Sequence, residues 1–309
     1  MAGIRILGLG KAQGDRKVTN DDLSKTVDTS DEWIRKKSGI KSRYFAEEKT
    51  NLDMAVEAAE KAVKSSGIEK KDIALCIVCT FTSDDYTPGT ACGVSGALGL
   101  EEEIIAFDLN GACSGFVLGC KMANEYLRTM PDKYALIIGS EKISPVMDME
   151  DRGTCVLFGD GSGAAVVGFD QEAEFSFFGG CIPDRQVLGA KRGGYIEMAG
   201  QEVYRFATSK LPQCIDTILE RTGHAPEEID WYVCHQANER IIDTAARRVS
   251  REIRDRFFKN LYDYGNTSAA SIPIALAEME EKKMIKPGQK LICTGFGAGL
   301  TYGSMLISR

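Results

Sequence analysis

Apolar residues fall along the chain in two interleaved patterns. Short runs rich in Val, Ile, Leu, Tyr and Cys, such as "IALCIVC" and "YALIIGS", are nearly unbroken and predict strands covered on both faces. Between them apolar positions recur every three or four residues, as at Phe116, Val117, Cys120 and Ala123, and predict helices. The order of these elements occurs twice. The first half runs "KKDIALCIVCTFT", "IIAFDLNGACSGFVLGCKMANEYL", "KYALIIGSE" and "GSGAAVVGF". The second runs "PEEIDWYVCHQAN", "FFKNLYDYGNTSAASIPIALAEM", "QKLICTGFGAG" and "YGSMLIS". Each copy reads strand, strand, turn, helix, strand, strand. The pattern therefore predicts a layered α/β protein of two similar halves, with residues 1–170 in the first and 171–309 in the second.

The repeat aligns two turns, "CSGFVLG" with "NTSAASIPIAL", so that Cys113 and Asn266 each follow a strand near the start of a helix. If the halves pack about a pseudo-twofold, the two helix starts meet near the centre. His235 closes the strand "DWYVCH" and is expected to point into the same place. Each residue has a plain structural explanation alone: a packed cysteine, a strand-end histidine, and a Gly-Asn-Thr-Ser turn with good capping chemistry. Small neighbours on both sides of Cys113 leave room for another backbone or a thioester. A helix start also favours thiolate over thiol. Together the three residues suit one kind of acyl chemistry.

Composition narrows the setting. A formal net charge of −7 argues against a general nucleic-acid binder. No run approaches the roughly 18 apolar residues of a membrane helix, and "MAGIRILGLGKAQGDR" is too soon broken by Gly and charge for a signal peptide. A cytoplasmic protein is expected. Most of the ten cysteines sit in apolar runs. Cys76 and Cys79 have CxxC spacing, but residues three apart on a strand face opposite ways, and no second Cys/His pair completes a metal site. Reduced core cysteines are expected, and no metal. "GLGKAQG" imitates a dinucleotide fingerprint but leads into "DRKVTNDD" rather than an apolar helix, so it reads as a turn. "FGDGSGAAVV" reads as a structural turn between strands.

The ordered set "TNDDLSKTVDTSDEWIRKKSGI", "DRGT", "LFGDGSGAAVV", "MAGQEV", "HQAN", "GNTSAAS" and "GFGAGLTYGS" resembles the β-ketoacyl-acyl-carrier-protein synthase III family. The likeness extends over nearly the whole chain. It implies a thiolase-like fold, duplicated in α-β-α-β-α layers, with the active site between the halves. It also implies a condensing enzyme that joins an acyl-CoA primer to malonyl-carrier protein without a metal or organic cofactor. On that likeness Cys113 is the nucleophile, and His235 and Asn266 stabilise the enolate left by decarboxylation. The N–H groups of Cys113 and Gly299 form the oxyanion hole.

For substrate handling, the likeness assigns Trp33, Arg152 and Lys37 to the CoA adenine, with Lys37 standing where the family has Arg. Gly200 and Asn238 line the pantetheine tunnel. Arg205, Arg240, Arg247 and Arg248 meet the acidic carrier protein. Thr87 replaces a Phe that lines the neighbouring subunit's acyl pocket in a homodimer. The segment "CIPDRQVLGAKRGGYIE" is shorter than in the family. Two alternatives stay open: an acyltransferase or secondary-metabolic condensing enzyme on the same fold, and a non-catalytic partner subunit.

Overall fold

The computed structural model describes residues 2–309. In the first half β1 (Ala2–Gln13), β2 (Ile73–Cys79), β3 (Ile105–Leu109), β4 (Tyr134–Glu141) and β5 (Gly161–Glu174) pair in the order β1-β5-β4-β2-β3. In the second half β6 (Ser176–Asp184), β7 (Trp231–Cys234), β8 (Lys290–Gly297) and β9 (Gly299–Ser308) pair in the order β6-β9-β8-β7. Strand directions repeat as well. The two pairs that start each order are antiparallel, and β4/β2 matches β8/β7 as a parallel pair. The two arrays join through one parallel register pair, Arg5 with Ser308.

The repeat departs from the sequence pattern at one point. "FFKNLYDY" was expected to be a strand, the counterpart of β3. Only a single parallel bridge forms, Tyr232 to Phe257, and Leu261–Tyr264 is a short helix. Gln236 fills the place of further pairing, its amide reaching the carbonyls of Cys234 and Phe258. The expected division at residues 170 and 171 falls inside β5.

Six principal helices complete the layers: α1 (Asn51–Ser66), α2 (Thr90–Leu98), α3 (Gly115–Leu127), α4 (Gly200–Thr222), α5 (Glu239–Val249) and α6 (Ser271–Glu281). Strand alternation sorts the core between them. Leu75, Ile77 and Cys79 of β2 pack with α3 and α6, whereas Cys76 and Val78 pack with α1 and α2. Val233 and Cys293 face the same central helices, and Tyr232, Cys234 and Ile292 face α4 and α5. The result is five layers, helix, sheet, helix, sheet, helix, with α3 and α6 in the middle. α6 is buried from Ser271 to Met279 because it has a sheet on either side, whereas α3 keeps one exposed edge at Met122 and Glu125. Burying Phe116 of α3 alone stabilises by roughly 1.5–3 kcal/mol.

One glycine sets how near the halves come. A Cβ on Gly139 of β4 would lie 2.3 Å from the carbonyl oxygen of Ala269, in the turn that leads into α6. Only a residue without a side chain lets that turn rest on the strand.

Candidate active site

The two central helices begin alike. A single 3-10 turn, Ala112–Ser114, precedes α3, and another, Ser268–Ala270, precedes α6. Each opens on a residue in the left-handed region, Ala112 at φ 46° and Ser268 at φ 49°. In each an asparagine two residues earlier accepts the N–H of that residue: Asn110 from Ala112 at 3.3 Å, Asn266 from Ser268 at 2.9 Å. By turn position the counterpart of Asn266 is therefore Asn110, and that of Cys113 is Ala269. The sequence pattern had paired Cys113 with Asn266.

These turns open into one cavity of about 720 Å³ whose lining includes Cys113, His235, Asn266, Gly299, Gly200 and Asn238. Gly297, rather than Gly299, is the glycine that presses on the thiol: a Cβ there would lie 2.8 Å from Cys113 N and 3.2 Å from Sγ. Cys113 is nearly buried, and that burial pushes its thiol up to about 12. Desolvation thus opposes the favourable helix start expected from the sequence.

His235 is held by its backbone N–H on Thr294 O at 2.8 Å and by an edge-to-face contact with Phe296 at 5.2 Å. Burial drives its pKa down to about 3, so the ring is neutral at physiological pH. Its Nδ1 lies 2.7 Å from Ser271 Oγ, which also receives the Gln236 N–H. With that hydroxyl donating to Nδ1, the ring carries its proton on Nε2. Asn266 is pinned by its backbone to Leu157 and Gly159 on either side of Phe158. Because its Oδ1 is taken by Ser268, its amide NH2 is left to donate. The "FGDGSG" run supports this: Asp160 accepts from Ala46, Ile143 and Ser144 and fixes the turn.

The other expected residues lie elsewhere. Trp33, Arg152 and Lys37 cluster outside the cavity, with Arg152 Cζ 4.9 Å and Lys37 Nζ 6.0 Å from the Trp33 ring centre. Asn238 ties that cluster to the cavity through Nδ2 on Lys37 O at 3.0 Å. Arg205, Arg240, Arg247 and Arg248 are exposed on α4 and α5. Arg248 is spent on Thr208 O, and Arg247 on Thr244. Thr87 is exposed and outside this chain's cavity. The short segment after β6 folds back as a wall of the cavity, contributing Arg185, Leu188 and Lys191. The pattern gave no role to these, nor to Ser271, although Ser271 closes the quoted "GNTSAAS". Among the described residues no group of three His, Cys, Asp or Glu could hold a metal ion, and no helix is long and apolar enough to cross a membrane.

The profile of 3-oxoacyl-(acyl-carrier-protein) synthase III matches residues 107–180, and that of the same synthase's C-terminal region matches residues 219–309. The β-ketoacyl-(acyl-carrier-protein) synthase III of Natranaerobius thermophilus is 42% identical over 329 residues, covering 99% of each chain. The same enzyme of Clostridium acetobutylicum is 39% identical over 326 residues, again covering 99% of each. The crystal structure of 3-oxoacyl-(acyl-carrier-protein) synthase III from Aquifex aeolicus superposes with a TM-score of 0.95 at 38% identity, over 99% of this chain and 100% of that one. A thiolase-like duplicated fold, paired helix starts around a cysteine, and likeness along the full length agree, and the chain belongs to the 3-oxoacyl-(acyl-carrier-protein) synthase III family.

Proposed function

We propose that the chain condenses an acyl-CoA primer with malonyl-acyl-carrier protein, releasing CoA and carbon dioxide and leaving 3-oxoacyl-carrier protein. Cys113 attacks the primer's thioester carbonyl, the bond to the CoA sulfur breaks, and the acyl group stays on Sγ. N–H groups of Cys113 and Gly299 receive the oxyanion. The malonyl thioester then loses carbon dioxide, and its carbonyl oxygen gains negative charge. Nε2–H of His235 and the NH2 of Asn266 donate to that oxygen, two neutral donors where a carboxylate would repel. The resulting carbon attacks the acyl-cysteine and frees the thiolate, which regains a proton. Acyl-CoA and the carrier-bound malonyl group are substrates, and no resident cofactor enters.

What carries this reading is the opening of both central helices, with His235, into one cavity. Arg152 lying over the Trp33 ring supports an adenine site at the rim, with Lys37 beside it, and Asn238 and Gly200 lining the way inward. The exposed Arg205, Arg240, Arg247 and Arg248 suit an acidic carrier protein. A homodimer is supported by the free edge of β3, where Ile105 and Phe107 are 48% and 38% exposed.

The test is to trap the acyl intermediate with acyl-CoA alone and locate it by mass spectrometry. The acyl group is expected on Cys113; its appearance on Cys234 or Cys155 would overturn the assignment.

A further inference from the structure

The nucleophile is a weak acid in its buried setting, and His235 is a poor base for its proton, because burial of the ring drives its pKa down to about 3. Another base lies beside it. Glu141, the last residue of β4, is wholly buried. Three donors converge on one of its oxygens, Oε2: Thr82 Oγ1 at 2.5 Å, Thr80 Oγ1 at 3.1 Å and the Phe81 N–H at 3.2 Å. Thr80 is fixed in turn by Asn51 Nδ2 at 3.0 Å. The other oxygen, Oε1, has no hydrogen-bond partner, and neither has the buried hydroxyl of Ser268.

That hydroxyl stands next to both the Glu141 carboxyl and the Cys113 thiol. It completes a hydrogen bond with neither in this geometry. Ser268 occupies this place on a left-handed backbone, brought against β4 by Gly139. A buried carboxylate oxygen and a buried hydroxyl without partners are each costly to leave unpaired. Two such groups beside a thiol are better explained by proton transfer than by packing.

We propose that Glu141 is the proton acceptor for Cys113, acting through the hydroxyl of Ser268. The proposal rests on the reading of Cys113 as the nucleophile. Glu141 touches no substrate and is a positioning residue that sets the thiol's protonation. In the acylation step the Sγ–H bond breaks and its proton passes to Ser268 Oγ, while the Ser268 hydroxyl proton passes to Oε1. The thiolate electron pair forms the S–C bond, the C–S bond to CoA breaks, and the proton returns through Ser268 to the departing sulfur. No outside acid, base or oxidant is needed.

The balance of charge around Glu141 suits this exchange. The thiols of Cys79 on β2 and of Cys113 are among the ionisable groups acting on it. The faces from α1, the loop after β2 and the turn before α6 present only the neutral Asn51, Thr80, Thr82 and Ser268. Lys142, next in sequence, turns away to the carbonyl of Lys49. Burial raises Glu141 to about 7, where one carboxyl can both accept and return a proton.

The experiment follows single-turnover acylation by acetyl-CoA from about pH 5 to about pH 9, with the adduct located by mass spectrometry. The wild-type rate is expected to climb with pH and level off near 7, as Glu141 ionises. Glu141→Gln should remove that bend and slow acylation roughly 100-fold at neutral pH. Ser268→Ala should reproduce the loss, and Glu141→Asp should restore the bend at a lower rate. A bend retained in Glu141→Gln and in Ser268→Ala, or an equal loss at every pH, would overturn the proposal. Should the glutamine variant fail to fold, Ser268→Ala decides alone. An adduct absent from Cys113 in the wild type would instead defeat the nucleophile assignment beneath it.

Discussion

Ser271 Oγ lies 2.7 Å from Nδ1 of His235, and this contact decides which ring nitrogen is free to serve a substrate. Ser271 is the first residue of α6, five positions after Asn266, so the helix start that places one donor also orients the other. In Ser271→Ala the buried Nδ1 loses its partner, at a cost of about 1–3 kcal/mol. With no hydroxyl donating to Nδ1, nothing holds the proton on Nε2, and the Nε2–H donor is weakened. Malonyl decarboxylation is expected to fall about tenfold to 100-fold, while acylation of Cys113 changes little. His235→Ala and Asn266→Ala should show the same split more strongly. Rates of the two half-reactions, measured separately on folded protein, check this; equal loss in both would remove the enolate role.

The raised Glu141 makes a second, independent prediction about stability. Its folded pKa of about 7 lies above the ordinary value of 4.5, so the folded protein holds the extra proton between those values. Stability is therefore fullest below about pH 4.5 as far as this group is concerned, and declines as pH rises through 7. The difference between the two values corresponds to roughly 3–4 kcal/mol at most. Glu141→Gln should carry no such loss, since its amide can keep the oxygen toward Thr80, Phe81 and Thr82. Urea unfolding at about pH 5 and pH 8 checks the sign: the variant's stability relative to the wild type should increase with pH.

Much of this site was legible because duplication leaves a periodic trace. Runs such as "IALCIVC" could only be strands buried on both faces, and Cys76 and Cys79 do point into different layers. The repeated order of elements placed Cys113, Asn266 and His235 around one centre. What the pattern lacked was register inside the turns: it paired Cys113 with Asn266, whereas the turn geometry pairs Asn110 with Asn266. Glu141 was hidden for another reason. At the end of "ALIIGSE" it looks like a charge leaving a strand for water, and only the approach of Ser268 and the 80–82 loop buries it. A helix start can be read from sequence, whereas the desolvation that raises the Cys113 thiol cannot. "FFKNLYDY" failed as a strand because Gln236 satisfies the carbonyl groups of Cys234 and Phe258.

Arg240 offers the cleanest test of the proposed carrier-protein surface. Its guanidinium lies over Tyr204, a residue of the cavity wall, at 5.7 Å from the ring centre. Arg248 is less suitable, because its hydrogen bond to Thr208 O joins α5 to α4 and a charge reversal there would disturb packing. Arg240→Glu should weaken use of malonyl-carrier protein roughly fivefold to tenfold at low salt and make its salt dependence shallower. Acylation by acyl-CoA should change far less. Steady-state rates for both substrates across a salt series check the prediction; an equal fall for both would place Arg240 on a CoA contact.

Thr87 tests the dimer and primer selection together. It sits beside Tyr86, whose ring is 79% exposed and lies 4.2 Å from the Arg192 guanidinium of the segment that walls the cavity. It also precedes α2, close in sequence to the free edge strand β3, and leaves its own chain's cavity untouched. In the proposed homodimer joined along β3, that loop is expected to reach the partner's acyl pocket. Thr is smaller than Phe, so the pocket is expected to take longer or branched primers, each buried methylene adding up to about 0.8 kcal/mol, or about fourfold. The Arg185–Lys191 segment that lines the cavity belongs to the same chain as Cys113, so a Thr87 variant leaves that wall unchanged. Thr87→Phe should then cut the longest primers most and spare acetyl-CoA, while Phe107→Lys should shift the protein toward monomer. Primer-length profiles and light-scattering masses decide it: a Phe variant with the wild-type profile would exclude Thr87 from the pocket, and a stable dimer in Phe107→Lys would move the interface away from β3.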